Sequence, residues 1–221
     1  MPESWKSRGY RMKIIKRIVF VILAVIVAAL YSYGIWPRAI YNTDIGANSY
    51  ENTGALSEGA VLKQSFVCSD TGLCGFSIKL TKQDSQTIGT YKWVLTEAET
   101  DKKVAEGKID ESSTENSKFV SSSAQKRGNV EVKFSEIPES KDKEYILTVQ
   151  GDSVEDNETM AVYITEKSEH SGELQLNGET LEKSSVIKLC YKRFNVETFI
   201  VFLVIVAYLV VFVKFMYKLF R

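Results

Sequence analysis

The pattern of hydrophobic and polar positions divides the chain into two long apolar runs with a region of alternating residues between them. The first run, Ile18–Trp36, has nineteen residues and no charged side chain. A helix of that length is roughly 28 Å long, close to the hydrocarbon thickness of a bilayer. The second run, Thr198–Val213, is also uncharged and can continue as a helix through Tyr217. The pattern therefore predicts two transmembrane helices, over 18–36 and 197–217.

Basic residues at the two ends of the chain predict the orientation of these helices. Residues 1–17 carry six Lys or Arg residues and one acidic residue, and residues 198–221 carry three basic residues and no acidic one. Because Lys and Arg are retained on the cytoplasmic side, we expect a cytoplasmic tail over 1–17, a cytoplasmic end over 218–221 and an external region between the helices. The predicted location is the cell membrane, crossed twice.

A cleaved signal peptide is the alternative interpretation of the first run. Its small residues, Ala24, Ala28 and Ala29, are followed by further apolar residues, Leu30 and Tyr31. This continuation favours an uncleaved anchor.

Residues near the ends of the apolar runs have the character of membrane anchors. Tyr31, Tyr33 and Trp36 collect at the far end of the first run, where an aromatic belt is expected. Lys214 and Lys218 follow the second run, and their long side chains can reach the polar interface. The lipid bilayer is therefore the first predicted partner.

The region between the helices has a two-residue period. After a lead over 37–60 that is rich in Asn, Gly, Ser and Thr, apolar residues alternate with polar ones in short runs. This period is typical of half-buried β-strands, and the spacing of the runs is that of an all-β sandwich or barrel. We predict a β-sandwich domain of about nine strands over 61–192. The apolar members of its clearest runs are Leu62, Phe66, Phe76, Ile78, Leu80, Tyr91, Trp93, Leu95, Val130, Val132, Phe134, Tyr145, Leu147, Val149, Met160, Val162, Ile164, Ile187, Leu189 and Tyr191.

Turn and loop signals punctuate this region. Asn177-Gly178 stands between two apolar runs, and both residues tolerate the positive φ of a type I′ hairpin turn. The run Glu111–Asn129 is rich in Ser, Asn and Lys and predicts a solvated loop, in which Phe119 and Val120 are candidates for a short additional strand. No helical period is evident in 61–192.

Charge is distributed unevenly although the chain is neutral overall. Residues 18–197 hold 27 acidic and 19 basic residues, a net charge of −8. An acidic central region argues against nucleic acid as a partner. It also argues against this region lying on an anionic membrane surface.

The three cysteines leave the disulfide pattern open. Cys68 and Cys74 flank a turn in the sequence CSDTGLC, and outside the membrane they could form a disulfide. Two buried thiols are the alternative. Cys190 is predicted to be a small buried apolar residue.

Few residues carry the signature of catalysis or metal binding. The chain has one histidine, His170, in a polar loop, and it has neither a CxxC nor a GxSxG motif. The acidic run Asp152–Glu158 lacks the spacing of an EF-hand loop and reads as a solvated connection. We therefore predict no enzyme activity, no cofactor and no metal.

Aromatic residues within the strands suggest one exposed contact. Tyr91 and Trp93 share a face with Leu95, which favours core packing over carbohydrate stacking. Tyr163 alternates with Val162 and is therefore the candidate for an exposed aromatic contact.

Four segments of the central region resemble a known kind of domain: Gly59–Phe66, Cys74–Leu80, Phe134–Thr148 and the final stretch GELQLNGETLEKSSVIKLCY at 172–191. Together they are similar to the extracytoplasmic jelly-roll domains of small two-pass bacterial membrane proteins associated with surface-glycan synthesis. The resemblance covers a little over half of the chain. It implies a galactose-binding-like sandwich and a place near glycan assembly, and it transfers no catalytic residue.

These observations lead to one functional expectation and two alternatives. We expect a non-catalytic accessory or binding module at the bacterial cell surface, which binds glycan or a larger glycan-handling membrane enzyme such as a glycosyltransferase. A chain-length regulator of polysaccharide export also has two helices around an outer domain, but that domain is helical. A surface hydrolase is the third class, and the lone His170 weighs against it.

Overall fold

The computed structural model of the protein describes residues 3–82, 87–115 and 127–220, with side chains over 14–82, 87–113 and 128–220. The chain forms two compact units. A helical unit contains the residues up to Gly34 and those from Arg193 onwards, and a β unit contains Ile35–Lys192.

The helical unit consists of α1 (Glu3–Ser32) and α3 (Val196–Leu219). Residues Ile14–Ser32 and Val196–Leu219 are long and apolar enough to cross a membrane. The two helices pack against each other: Ala28 of α1 is fully buried, and the rings of Tyr31 and Phe202 lie 5.5 Å apart. Asn195 caps α3, because its side chain accepts a hydrogen bond from the backbone N–H of Thr198.

The first helix extends further than the predicted span at its N-terminal end and stops short of it at its C-terminal end. The backbone is already helical from Glu3, within the predicted tail, and the helix ends at Ser32 rather than Trp36. Strand β1 (Tyr33–Ala39) begins at the next residue, so Tyr33 and Trp36 are strand residues. Gly34 and Pro37 explain the early end, since both are poor helix formers and Pro disfavours helical backbone at the residue before it.

The β unit is built almost entirely from strands. Within the described residues, β1 is followed by one 3₁₀ turn (Ala47–Ser49), a five-residue helix α2 (Glu111–Glu115) and twelve further strands. The strands are β2 (Glu51–Asn52), β3 (Val61–Val67), β4 (Leu73–Lys82), β5 (Thr90–Glu97), β6 (Lys102–Ile109), β7 (Arg127–Ile137), β8 (Glu144–Ser153), β9 (Met160–Thr165), β10 (Ser171–Leu176), β11 (Glu179–Leu181), β12 (Ser184–Ser185) and β13 (Ile187–Phe194).

These strands form two sheets over a common core, so the predicted β-sandwich flanked by two apolar helices is confirmed. The six-stranded sheet has the order β11-β10-β3-β8-β5-β6. The seven-stranded sheet has the order β1-β13-β4-β9-β12, with β2 beside β9 and β7 beside β4. The predicted apolar faces supply the core, whose largest fully buried side chains include Tyr91, Tyr145, Tyr191, Phe66 and Phe76.

Local turn chemistry behaves as the sequence predicts, whereas one short helix does not. Asn177 and Gly178 join β10 to β11 with φ of 52° and 87°, the positive pair of a type I′ turn. Helix α2 was missed because five residues are too few to show a helical period. It occupies the start of the predicted loop Glu111–Asn129. The candidate strand at Phe119 and Val120 lies outside the described residues.

The lead over 37–60 is part of the β unit, whereas an extended lead preceding a domain that begins at residue 61 was predicted. Ile40 and Leu56 are both buried in the core. Backbone hydrogen bonds hold the lead in place, from Asn42 N to Glu166 O at 3.0 Å and from Leu56 N to Met160 O at 2.8 Å. Widely spaced apolar residues gave no strand period, so only the fold shows that they are anchored.

Candidate functional site

A polar cleft of about 580 Å³ opens on the β unit. Three segments that are distant in sequence form its walls: β1 with the lead that follows, the loop after β3 and the loop before β10. We call it the polar cleft, and its lining consists of Arg38, Ala39, Tyr41, Asn42, Thr43, Ser69, Asp70, Ser168, Glu169 and His170. Most of these side chains offer hydrogen-bond donors or acceptors.

The wall loops are fastened by backbone and hydroxyl hydrogen bonds. The Ser168 hydroxyl donates to the Ile40 backbone oxygen at 2.7 Å, which joins the loop before β10 to the lead. The Ser140 hydroxyl donates to the Asp70 backbone oxygen at 2.9 Å, and the backbone N–H of Asp142 donates to Cys68 O at 2.9 Å. The cleft is therefore preformed, because each wall is tied to the sandwich by hydrogen bonds that a ligand need not create.

Charges of both signs line the polar cleft. Arg38 Nε lies 3.4 Å from Asp70 Oδ2, and Asp70 is the more buried partner of this ion pair. On the loop before β10, His170 Nε2 lies 3.5 Å from Glu169 Oε1. Burial raises the pKa of the Tyr41 hydroxyl well above its usual value, so Tyr41 is a neutral donor and acceptor. This mixture suits a neutral polyhydroxyl ligand better than one of strong single charge.

His170 contacts neighbouring residues of its own loop. Its ring Nε2 lies beside the exposed carboxylate of Glu169, and the Ser168 hydroxyl accepts a hydrogen bond from the His170 backbone N–H at 3.3 Å. Among the described residues, no group of three or more His, Cys, Asp and Glu side chains is placed to hold a metal ion.

A second groove, of about 350 Å³, lies over Trp93. Lys108, Glu131 and Lys133 are on its rim. Trp93 is only 3% exposed, and a Cβ at Gly107 would meet its indole ring at 2.7 Å. A ring this deeply buried cannot stack on a sugar, in agreement with the predicted core role of Trp93; Tyr91 is likewise fully buried.

The predicted exposure of Tyr163 is wrong. Tyr163 is 8% exposed and packs with Tyr41, Val186 and Tyr50. The Lys79 ammonium lies 5.4 Å from the centre of its ring and 5.1 Å from that of Tyr50. Alternation correctly placed Tyr163 on the face of β9 opposite Val162, but the folded lead covers that face.

The structure matches the second of the two alternatives that the sequence left open for Cys68 and Cys74: both are buried thiols and no bond joins them. Cys68 lies in the core, where burial raises the pKa of its thiol to about 12. Cys74 is the second residue of β4 and contacts Cys190 on β13 instead. The two cysteines differ in their surroundings, because Cys68 belongs to the core cluster and Cys74 does not.

The remaining predicted residues are located as follows. Asp152, at the start of the acidic run, forms an ion pair with Lys92. The anchor candidates Tyr31, Tyr33, Lys214 and Lys218 are all exposed. Arg38 and Asp70 were not predicted as site residues, since neither stands in a motif and only the fold brings them together.

The comparisons with known proteins show no family for this chain. No protein-family model matches this chain, and the search of curated proteins finds no match.

Proposed function

We propose that this protein is a membrane-anchored, non-catalytic binding module of the bacterial cell surface, with the β unit outside and both termini in the cytoplasm. Its polar cleft takes a glycan, and a glycan-handling membrane enzyme is the alternative occupant. The jelly-roll, galactose-binding-like relationship suggested by the sequence resemblance is part of the same proposal.

The observation that carries the proposal is the polar cleft of the β unit. In the sequence, the β unit lies between two apolar helices. Serine, threonine and tyrosine hydroxyls, an amide and paired charges are the groups that hydrogen-bond sugar hydroxyls, and about 580 Å³ falls in the size range of small-molecule sites. The strand-rich β unit also favours this class over a chain-length regulator, whose outer domain is helical.

The orientation is tested by protease protection in intact cells. A protease added from outside is expected to cut within 37–195 and to leave a tag at Arg221 intact. Digestion of the tag with a protected β unit would contradict the proposal.

Ligand binding is tested with the full chain in lipid nanodiscs on a glycan array, followed by titration of any hit. Arg38→Gln and Asp70→Asn are expected to weaken binding by roughly 10- to 100-fold, the cost of losing a charged hydrogen bond of about 1.5–3 kcal/mol. Lys63→Gln and Asp44→Asn are matched controls, since both change an exposed charge outside the polar cleft lining.

Equal loss in the control variants would contradict a role for the cleft. If no glycan binds, in-cell photo-crosslinking from position 43, on the cleft wall, reports the alternative occupant. Crosslinks to a membrane enzyme would replace the glycan, and an absence of both would overturn the proposed function.

A further inference from the structure

Cys74 and Cys190 meet on neighbouring strands of the seven-stranded sheet. The Cα partner of Cys190 is Gly75, and the next pair is Tyr191 with Leu73. Cys74 is therefore the extra residue of a β-bulge, situated between these two pairs and next to Cys190.

The bulge places the buried Cys74 beside Cys190, which faces away from the core. Leu189 and Tyr191, on either side of Cys190, are buried in the core, so alternation turns Cys190 outward. Leu73 is also in the core, whereas Cys74 is not a member of the core cluster. The contact is direct, because Cys74 Sγ donates to the backbone oxygen of Cys190 at 3.3 Å.

The surroundings of the two thiols disfavour their thiolate forms. Burial is the main cause that raises the pKa of both thiols, for Cys190 to about 11. The charged neighbours are of both signs and do not offset burial. On β7 and β13 they are Glu131, Lys133, Glu136, Lys188 and Lys192.

We propose that Cys74 and Cys190 form an intramolecular disulfide that ties β4 to β13, while Cys68 remains a reduced core thiol. In a β-bulge two residues of one strand oppose one residue of the partner strand, so Cys74 and Gly75 both lie opposite Cys190. Directly paired Cα atoms are about 4.5–5.5 Å apart, and a disulfide spans Cα separations of up to about 6.8 Å. The bridge would close most of the β unit into one loop, so we expect it to be structural.

The bond forms by thiol–disulfide exchange with a low-molecular-weight disulfide such as oxidised glutathione. The thiolate of one cysteine attacks a sulfur of the glutathione disulfide, forming a mixed disulfide and releasing one glutathione thiolate. The second cysteine, as its thiolate, attacks the protein sulfur of the mixed disulfide and releases the second glutathione. One S–S bond is broken and one formed, and the two protein thiol protons end on two reduced glutathione molecules.

The test is disulfide mapping of the full chain in detergent after incubation with oxidised glutathione. Trypsin cannot separate Cys68 from Cys74, because no Lys or Arg lies between them, but a protease that cleaves before Asp separates them at Asp70. We expect a peptide containing Cys74 linked to one containing Cys190, and one free thiol at Cys68. A Cys68–Cys74 link, a link between two chains, or three thiols that stay free would each overturn the proposal.

Variants separate the bridge from general stability. Cys68→Ala should keep the bridge and leave no free thiol after oxidation, whereas Cys74→Ser and Cys190→Ser should each leave two free thiols. Oxidation of the wild type should raise the melting temperature by on the order of 10 °C, as expected for a loop of about 100 residues. The same oxidant should leave the melting temperatures of Cys74→Ser and Cys190→Ser unchanged, and an equal rise in them would contradict the bridge.

The result with purified protein does not depend on the proposed function, since the oxidant is supplied in the tube. Alkylation of thiols in intact cells before lysis then tests whether the bridge also forms at the proposed external location of the β unit. If the bridge forms in the tube but both cysteines are alkylated in cells, the geometry is correct and an oxidising, external location of the β unit is contradicted.

Discussion

The helical unit and the β unit differ in where their large apolar side chains lie. In α1 and α3 the large apolar residues point outward and stay exposed, among them Ile18, Phe20, Ile22, Val204, Ile205 and Phe212. In the β unit, residues of the same types are enclosed between two sheets. The β unit therefore supplies its own apolar environment, whereas the exposed apolar side chains of the helices are suited to an external one, which supports the proposed membrane anchoring.

The largest expected effect comes from removing a buried ring of the β unit. Phe66 is 1% exposed and stacks on Tyr145 with ring centres 6.2 Å apart. Phe66→Ala should lower the free energy of unfolding of the β unit by about 3–5 kcal/mol, because it leaves a cavity. Denaturant titration in detergent, followed by tryptophan fluorescence, measures this change.

Phe212→Ala is the matched control, since the same ring on α3 is 45% exposed. It should change the unfolding of the β unit by less than about 0.5 kcal/mol. Equal losses for the two variants would break the contrast between the units.

A charge in the middle of α3 tests the other side of the comparison. Ile205 is exposed, and Ile205→Arg should cost about 2.5–3.5 kcal/mol of membrane insertion. The fraction of protein that resists extraction by alkali measures insertion. Val67→Arg, at an exposed position of β3, should leave that fraction unchanged, and a similar loss there would count against an anchor in α3.

A buried amide tests how polar groups are accommodated between the sheets. Gln64 of β3 accepts a hydrogen bond from Ser185 N at 2.8 Å and donates to Ser65 O at 2.8 Å. Gln64→Ala leaves the buried N–H of Ser185 without this acceptor, and we expect a loss of about 1–3 kcal/mol in unfolding free energy. Gln175→Ala is the control, because its amide is bonded to Glu173 on the surface. A Gln64→Ala protein as stable as the control would refute the cross-sheet role.

The smallest effect concerns a surface ion pair and depends on pH. Hydrogen bonds from Lys143 and Thr100 hold the pKa of Glu97 below its ordinary value of 4.5. The Glu97 carboxylate therefore stabilises the fold above that pH, and the contribution disappears as the pH falls through the lower, folded-state pKa. Glu97→Gln should reduce the denaturant midpoint slightly at about pH 7, and by less at about pH 3.

The exposed residue Glu99 is the control for this pH dependence. Glu99→Gln should match the wild type at both pH values. A difference between Glu97→Gln and wild type that grows on acidification would have the wrong sign for a lowered pKa.

Local periodicity accounts for most of what the sequence predicted correctly. Alternation at Tyr91 and Trp93 and along β3, β4 and β8 depends on which face of a strand meets the core, and neighbouring residues in the chain report that directly. The Asn177-Gly178 turn is likewise determined by two adjacent residues. The two uncharged runs could be recognised for the same reason, since the length and composition of consecutive residues are enough to identify an apolar helix of membrane length.

Tertiary structure alone decided the rest, because it depends on residues far apart in the chain. Arg38, Asp70 and His170 meet in the polar cleft only when β1 and two loops are assembled. Cys74 lies beside Cys190 rather than Cys68 because the order of the strands, and not the spacing of the cysteines, sets the neighbours. Tyr163 is hidden because the lead folds over its face. The sequence determined which residues are apolar enough to be buried. The packing of the sheets determined which polar residues come together in the cleft.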